Sequence, residues 1–224
     1  MRHLRKMVAA LSFVVLACIL SHSQDQGKEI NSNLGAAVSL PVSTTSDFVK
    51  VSWGISGGAG YNFSEHHAIV GEFMWSALYP SDSGLQPIRE GLQNNSVTGH
   101  SNLYALTANY RYELRHKTLG TYIIGGGGWY YRTMGFTGPV TSPAGIACTP
   151  SWLWWGFKCS SGTVVPGQSL GGYTSSVFGG NVGVGFTKQV ADPGYRLYIE
   201  PRYHYAPTKN GSTQLVEITF GIRY

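Results

Sequence analysis

The final eleven residues, Gln214 to Tyr224 (QLVEITFGIRY), alternate without interruption. Val216, Ile218, Phe220, Ile222 and Tyr224 share one face, and Leu215, Glu217, Thr219, Gly221 and Arg223 share the other. Successive side chains on a strand point to opposite sides, so this pattern defines one continuous apolar face and one face that carries charge. A tilted strand needs about 9–11 residues to cross the hydrocarbon layer of a bilayer. The segment therefore suits the wall of a barrel with lipid outside and a polar interior. Such a wall constrains the whole chain, because every other spanning segment must obey the same rule.

The amino-terminus indicates the compartment. Arg2, Arg5 and Lys6 precede an almost wholly apolar run from Met7 to Leu20, and Ser21-His22-Ser23 places small residues where a signal peptidase reads. Residues 1–23 are expected to be a signal peptide and residues 24–224 one barrel domain. A competing reading makes Cys18 a lipid-bearing cysteine after Val15-Leu16-Ala17, although Leu16 is bulky for such a site. No other run reaches the roughly 18 apolar residues of a membrane helix, so entry into a membrane must be by strands. Three of the 16 Lys and Arg lie in this leader, which leaves 13 against 11 Asp and Glu. That near balance argues against a nucleic-acid partner. Charged residues make up 12% of the chain, about half the share usual in a soluble domain. Cys148 and Cys159 remain in an exported chain, where an oxidising compartment favours their pairing.

Further strands follow the same alternation. In Tyr195 to Ala206, Tyr195, Leu197, Ile199, Pro201, Tyr203 and Tyr205 oppose Arg196, Tyr198, Glu200, Arg202 and His204. Leu103 to Arg115 sets Tyr104, Leu106, Ala108, Tyr110, Tyr112 and Leu114 against Thr107, Asn109, Arg111, Glu113 and Arg115. Phe48 to Phe63 presents Val49, Val51, Trp53, Ile55, Ala59, Tyr61 and Phe63 outward, opposite Lys50, Ser52, Ser56 and Asn62. After a short turn at Ser64-Glu65-His66, Ile69, Phe73, Trp75, Ala77 and Tyr79 oppose Glu72 and Ser76. Glycines blur the phase of Thr121 to Phe136 and Thr174 to Lys188. Tyr122, Ile124, Tyr130 and Met134 are assigned outward in the first, and Phe178, Val182, Val184 and Phe186 in the second. The run Gly125 to Gly128 sits inside a strand with no helix after it, so it is not a phosphate cradle. Bacterial barrels use even strand numbers, and Glu29 to Val42 supplies the eighth. The expected fold is all-β, an eight-stranded antiparallel up-and-down transmembrane β-barrel. Its outer loops are Ser43 to Asp47, Pro80 to Ser101, Thr137 to Tyr173 and Pro207 to Gly211.

On these residues the chain resembles the small outer-membrane barrel superfamily of OmpA-like transmembrane domains, OmpX and the opacity proteins. The likeness is carried by Gly60-Tyr61-Asn62-Phe63 closing a strand before a turn, by Glu72 in the next strand, and by Ile218-Thr219-Phe220-Gly221-Ile222-Arg223-Tyr224. The resemblance implies residence in the bacterial outer membrane, contact with lipid and lipopolysaccharide, and delivery by the barrel-assembly machinery. It also implies that Phe220, Ile222 and Tyr224 look like the terminal signal that this machinery reads. A departure from the longer OmpA architecture is expected, since no peptidoglycan-binding domain is read after the barrel.

Function is less legible than location. Lys50, Glu72, Arg111, Glu113, Arg115, Arg196, Glu200, Arg202, His204, Glu217 and Arg223 all fall on the inward face. An eight-stranded barrel is just wide enough to be filled by side chains, and buried ions must be paired. The expected interior is a salt-bridged plug. The alternative is a narrow or gated ion pathway with Glu72, Glu200 and Arg202 at mid-height.

A lipid A-modifying hydrolase ranks lower. His204 is the single histidine on a late strand and points inward, and two residues on stands Ala206 where a nucleophilic serine would be wanted. His66-His67 lie in a turn without a metal-ligand spacing, so neither a metal nor a cofactor is expected. The third outer loop holds Cys148 and Cys159 around Trp152, Trp154, Trp155 and Phe157. That aromatic ring either binds an unidentified surface ligand or packs on the barrel mouth and upper lipid interface. A lipocalin-like soluble barrel would reverse the faces, with apolar residues inside. The reading adopted is a non-catalytic outer-membrane barrel with a structural, adhesion or surface-interaction role.

Overall fold

Where charge alternates with Leu, Ile, Val and aromatics, the chain extends, and the extended segments pair in sequence. The computed structural model describes residues 30–92, 95–116, 118–137, 146–150, 157–161, 169–191, 194–208 and 211–224. Eight long strands form the wall: β1 (Ile30–Pro41), β2 (Ser52–Asn62), β3 (His67–Leu78), β4 (Thr98–Arg115), β5 (Leu119–Thr137), β8 (Ser169–Ala191), β9 (Tyr195–Thr208) and β10 (Gly211–Arg223). Each pairs antiparallel with its neighbours. The barrel closes where β1 meets β10, from Asn33 opposite Arg223 to Pro41 opposite Leu215. Two short strands, β6 (Ile146–Pro150) and β7 (Phe157–Ser161), make a separate hairpin between β5 and β8. Its register sets Cys148 opposite Cys159. The expected signal peptide and the tip residues Trp152, Trp154 and Trp155 lie outside the described residues.

The outer wall is apolar almost throughout. Leu34, Ile55, Ile69, Leu106, Val182 and Ile222 are exposed on it, and Phe178 is 79% exposed. Apolar area on this scale far exceeds the patch of a few hundred Å² that a soluble monomer shows. Two aromatic belts bound it, as expected where rings meet the headgroups. At the outer belt the Trp53 and Trp75 rings meet edge to face with centroids 5.1 Å apart, and Trp53 Nε1 donates to the Tyr79 hydroxyl at 3.2 Å. The inner belt gathers Phe63, His67, Tyr110 and Tyr112, with Tyr195 and Tyr224 4.9 Å apart.

Four sequence expectations are revised. The phase of β5 is inverted: Tyr122, Ile124, Tyr130 and Met134 are buried inside, while Ile123 and Trp129 are exposed outward. Apolar residues on both faces hid this. Gly126 and Gly128 share the inward phase, and a Cβ on either would collide with the backbone of β4, at Ala108 O and Leu106 O respectively. Second, β2 begins at Ser52 rather than Phe48. Val49, expected outward, is therefore free to turn into the barrel mouth, where it is 2% exposed. Third, Lys50 lies above the wall, and its Nζ leaves the interior for Asp82 Oδ2 at 2.8 Å. Fourth, the second outer loop contains a helix, α1 (Asp82–Leu92). Ser81 caps it, its Oγ accepting from the Gly84 N–H at 3.0 Å. Among the described residues, no helix is long and apolar enough to cross a membrane.

Candidate functional site

The interior is built in three tiers. The outermost is apolar: Leu78, Leu103, Met134, Phe136 and Leu215 from the wall pack with Leu85 and Ile88 of α1 and with Val49 and Val97. Burying each such side chain favours the packed state by about 1.5–3 kcal/mol. The helix thus sits as a lid on a small hydrophobic core across the barrel mouth. Its exposed side is tied down by Asp82, which receives Lys50 at 2.8 Å and Arg89 at 3.1 Å. The hydrogen bond from Lys50, reinforced by Arg89, holds the Asp82 carboxyl below its ordinary range. A further bond runs from Arg89 Nε to Val97 O at 3.2 Å.

The middle tier is ionic. Arg202 lies between two carboxylates, with Nη1 2.6 Å from Glu72 Oε2 and Nη2 2.5 Å from Glu200 Oε1. Glu72 also accepts from Asn33 at 2.7 Å and Asn109 at 2.6 Å, while Glu200 accepts from the Tyr122 hydroxyl at 2.6 Å. The Tyr122 ring reaches the interior over Gly185, where any Cβ would strike it. Asn181 donates to Asn109 at 2.9 Å, which ties β8 to the same network. Glu217 accepts at one oxygen from Ser39 at 2.7 Å and Ser76 at 2.5 Å. His204 is buried against the Tyr130 hydroxyl at 3.0 Å. Enclosed among Glu72, Glu200, Arg202, His204 and Glu217 is a cavity of about 10 Å³, room for a single water at most. Of the charges around it, Arg202 is paired with Glu72 and Glu200.

The tier nearest the periplasm is basic. Arg111 Nε at 3.5 Å, Arg115 Nη2 at 3.1 Å and Arg223 Nη1 at 3.5 Å all converge on Glu113 Oε2. Arg223 also lies over the Tyr122 ring at 4.3 Å and the Tyr198 ring at 5.2 Å. Arg196 stands opposite Arg223 in the β9–β10 register and donates from Nε to Thr187 Oγ1 at 3.0 Å.

The charged residues expected inside thus fall into separate groups. Glu72, Glu200 and Arg202 form one, Arg111, Glu113, Arg115 and Arg223 another, and Glu217 and His204 each bond to uncharged partners. Sequence reasoning placed Asn109 on the inward face but left it, with Asn33 and Asn181, out of the interior network, because none of the three carries a charge. It also missed Arg132, which is fully buried. Phe220 and Ile222 are exposed on the lipid face, and the Tyr224 backbone exchanges hydrogen bonds with Ser32 at 2.9 and 3.0 Å. For Cys148, Cys159 and Phe157 the structure describes the backbone of β6 and β7. Among the described residues, no group of three His, Cys, Asp or Glu side chains could hold a metal ion.

Comparison with known proteins agrees with this architecture. Residues 10–224 match the family described as the outer membrane protein β-barrel domain. Among solved structures, a major outer membrane protein from Thermus thermophilus is similar with a TM-score of 0.56 at 9% identity, covering 88% of this chain and 99% of that one. Neisserial surface protein A has a TM-score of 0.49 at 15% identity, with 88% and 98% covered. The attachment invasion locus protein Ail of Yersinia pestis has a TM-score of 0.48 at 14% identity, with 89% and 100% covered. No curated protein matches the chain. The Thermus likeness is one of fold. The match over nearly the whole length is decisive: the chain belongs to the outer membrane protein β-barrel domain family and resides in the bacterial outer membrane.

Proposed function

We propose that this protein is a closed, non-catalytic barrel whose working surface is its extracellular end. The observation that carries the proposal is Arg202 clamped between Glu72 and Glu200 beneath an apolar lid. A bore filled first by α1 and then by paired ions offers no hydrated path, which favours a plug over a pore. The outer end, by contrast, is generously built. Strands β4, β5 and β8 run for 18, 19 and 23 residues, well beyond the ~9–11 needed to span the bilayer, so they extend the wall outward. Helix α1 lies beside β7 there. The opposed register of Cys148 and Cys159 supports a disulfide that closes the ring carrying Trp152, Trp154 and Trp155. Loops on a rigid barrel are a usual seat of recognition. Catalysis is disfavoured because His204 is spent on Tyr130 inside the wall.

One experiment tests both halves of this reading. Refolded wild-type protein and the triple variant Trp152→Ala, Trp154→Ala and Trp155→Ala are recorded in planar bilayers and compared for heat-resistant gel mobility. Both are expected to be silent and heat-resistant. Discrete single-channel events from the wild type would refute the closed bore. Collapse of the triple variant to the unfolded mobility would assign the indoles to packing rather than to an outer surface.

A further inference from the structure

We propose that the basic tier is an anion site open to the periplasm that takes a small tetrahedral oxyanion of the phosphate class. Three guanidinium groups, those of Arg111, Arg115 and Arg223, converge on one carboxylate, Glu113, and a fourth, that of Arg196, stands opposite Arg223. The imbalance sits where it is most costly, because Arg111, Glu113 and Arg223 are each at most 2% exposed, and buried charge must be matched.

The donors are also under-used. Among the described residues, Nε, Nη1 and Nη2 of Arg223, Nε of Arg111 and Nη2 of Arg196 meet no hydrogen-bond acceptor. The approach of Arg223 Nη1 to Glu113 at 3.5 Å is coulombic, at the limit of hydrogen-bond length. A guanidinium fork with free N–H groups is suited to the paired oxygens of a phosphate or sulfate. The contacts of Arg223 with the Tyr122 and Tyr198 rings give its N–H groups no hydrogen-bond acceptor.

Access is from one side. The Arg115 side chain is 42% exposed at the inner rim, whereas the Glu72–Arg202–Glu200 clamp bars the way above. An anion entering from the periplasm would bind and stop, so the site is a receptor and not a channel. It is independent of any role of the outer loops.

The test is calorimetric titration of inorganic phosphate, at ionic strength matched with sodium chloride, into protein held in phosphatidylcholine nanodiscs. Saturable binding at one site is expected. Arg196→Gln, at the half-exposed rim, should weaken it about tenfold, since a charged hydrogen-bond donor is lost. Glu113→Gln should tighten it by about threefold or more, because the competing carboxylate is neutralised. Lys50→Gln, at the opposite end, should leave it unchanged. Replacing a fifth of the lipid by phosphatidylglycerol should also leave it unchanged.

Absence of saturable binding, indifference to Arg196→Gln, or weakening by a folded Glu113→Gln protein would each overturn the proposal. Loss of binding with phosphatidylglycerol would do so too, assigning the arginines to a lipid headgroup. Should Glu113→Gln fail to fold, Arg115→Gln together with Arg196→Gln decides, and wild-type affinity in that pair would overturn the site.

Discussion

Arg202 answers two carboxylates with two different nitrogens, so its planar fork fixes the spacing of β3 and β9 across the bore. A compact ammonium could not hold both partners in the same way. Removing one member of a buried ion group is costlier than never building it, because the remaining charges keep their desolvation penalty without its compensation. Arg202→Met should therefore lower the stability of the folded barrel by about 3–5 kcal/mol in equilibrium urea unfolding from lipid vesicles. Combining it with Glu72→Gln and Glu200→Gln removes the stranded charges and should recover most of that loss. A single variant as stable as the wild type would mean that solvent, and not Arg202, compensates the two carboxylates.

At the scale of elements, legibility followed from how differently the two faces of a segment are dressed. In β9 and β10 every inward position near mid-barrel is polar and every outward one apolar, so the phase was plain from the sequence. Strand β5 carries apolar groups on both sides, because its inner face supplies Tyr130, Met134 and Phe136 to the outer core. Arg132 shares the parity of those residues and is fully buried inside the barrel, so that one residue contained the missing phase information.

Helix α1 was obscured for another reason. Gly84 and Pro87 are poor helix formers, and Pro87 gives up the bond its N–H would have made to Ser83. What offsets this is tertiary: the Ser81 cap and the burial of Leu85 and Ile88, which are invisible until the mouth of the barrel exists. Docking should accordingly be separable from the wall. Ile88→Ala is expected to weaken the lid by about 2–5 kcal/mol. It should raise hydrogen-exchange rates in residues 82–90 by about tenfold or more, while amides of β3 and β10 keep their protection. Equal loss of protection in lid and wall would show that α1 is an integral part of the barrel's cooperative unit.

For the whole molecule the critical contact is the closing seam, because an open sheet would leave backbone groups unpaired in hydrocarbon. That seam joins the first and last strands, so it forms only after the entire wall has been laid down, with Asn33 to Pro41 meeting Leu215 to Arg223. Its periplasmic end is held by Tyr224 in two ways. The backbone makes reciprocal bonds with Ser32 at 2.9 and 3.0 Å, and the ring packs 4.9 Å from that of Tyr195. Deleting Tyr224 removes both, and should reduce the heat-resistant form in the outer membrane several-fold while the exported chain still reaches the periplasm. Tyr224→Ala separates the two contributions, since it keeps the backbone bonds and loses only the ring. If an aromatic signal governs assembly, Tyr224→Ala should behave as the deletion does and Tyr224→Phe as the wild type. If seam bonding governs it, Tyr224→Ala should assemble normally. A deletion variant that reaches wild-type levels of heat-resistant protein would exclude both, and would place the determinant of closure further along β10, among Val216, Ile218 and Phe220.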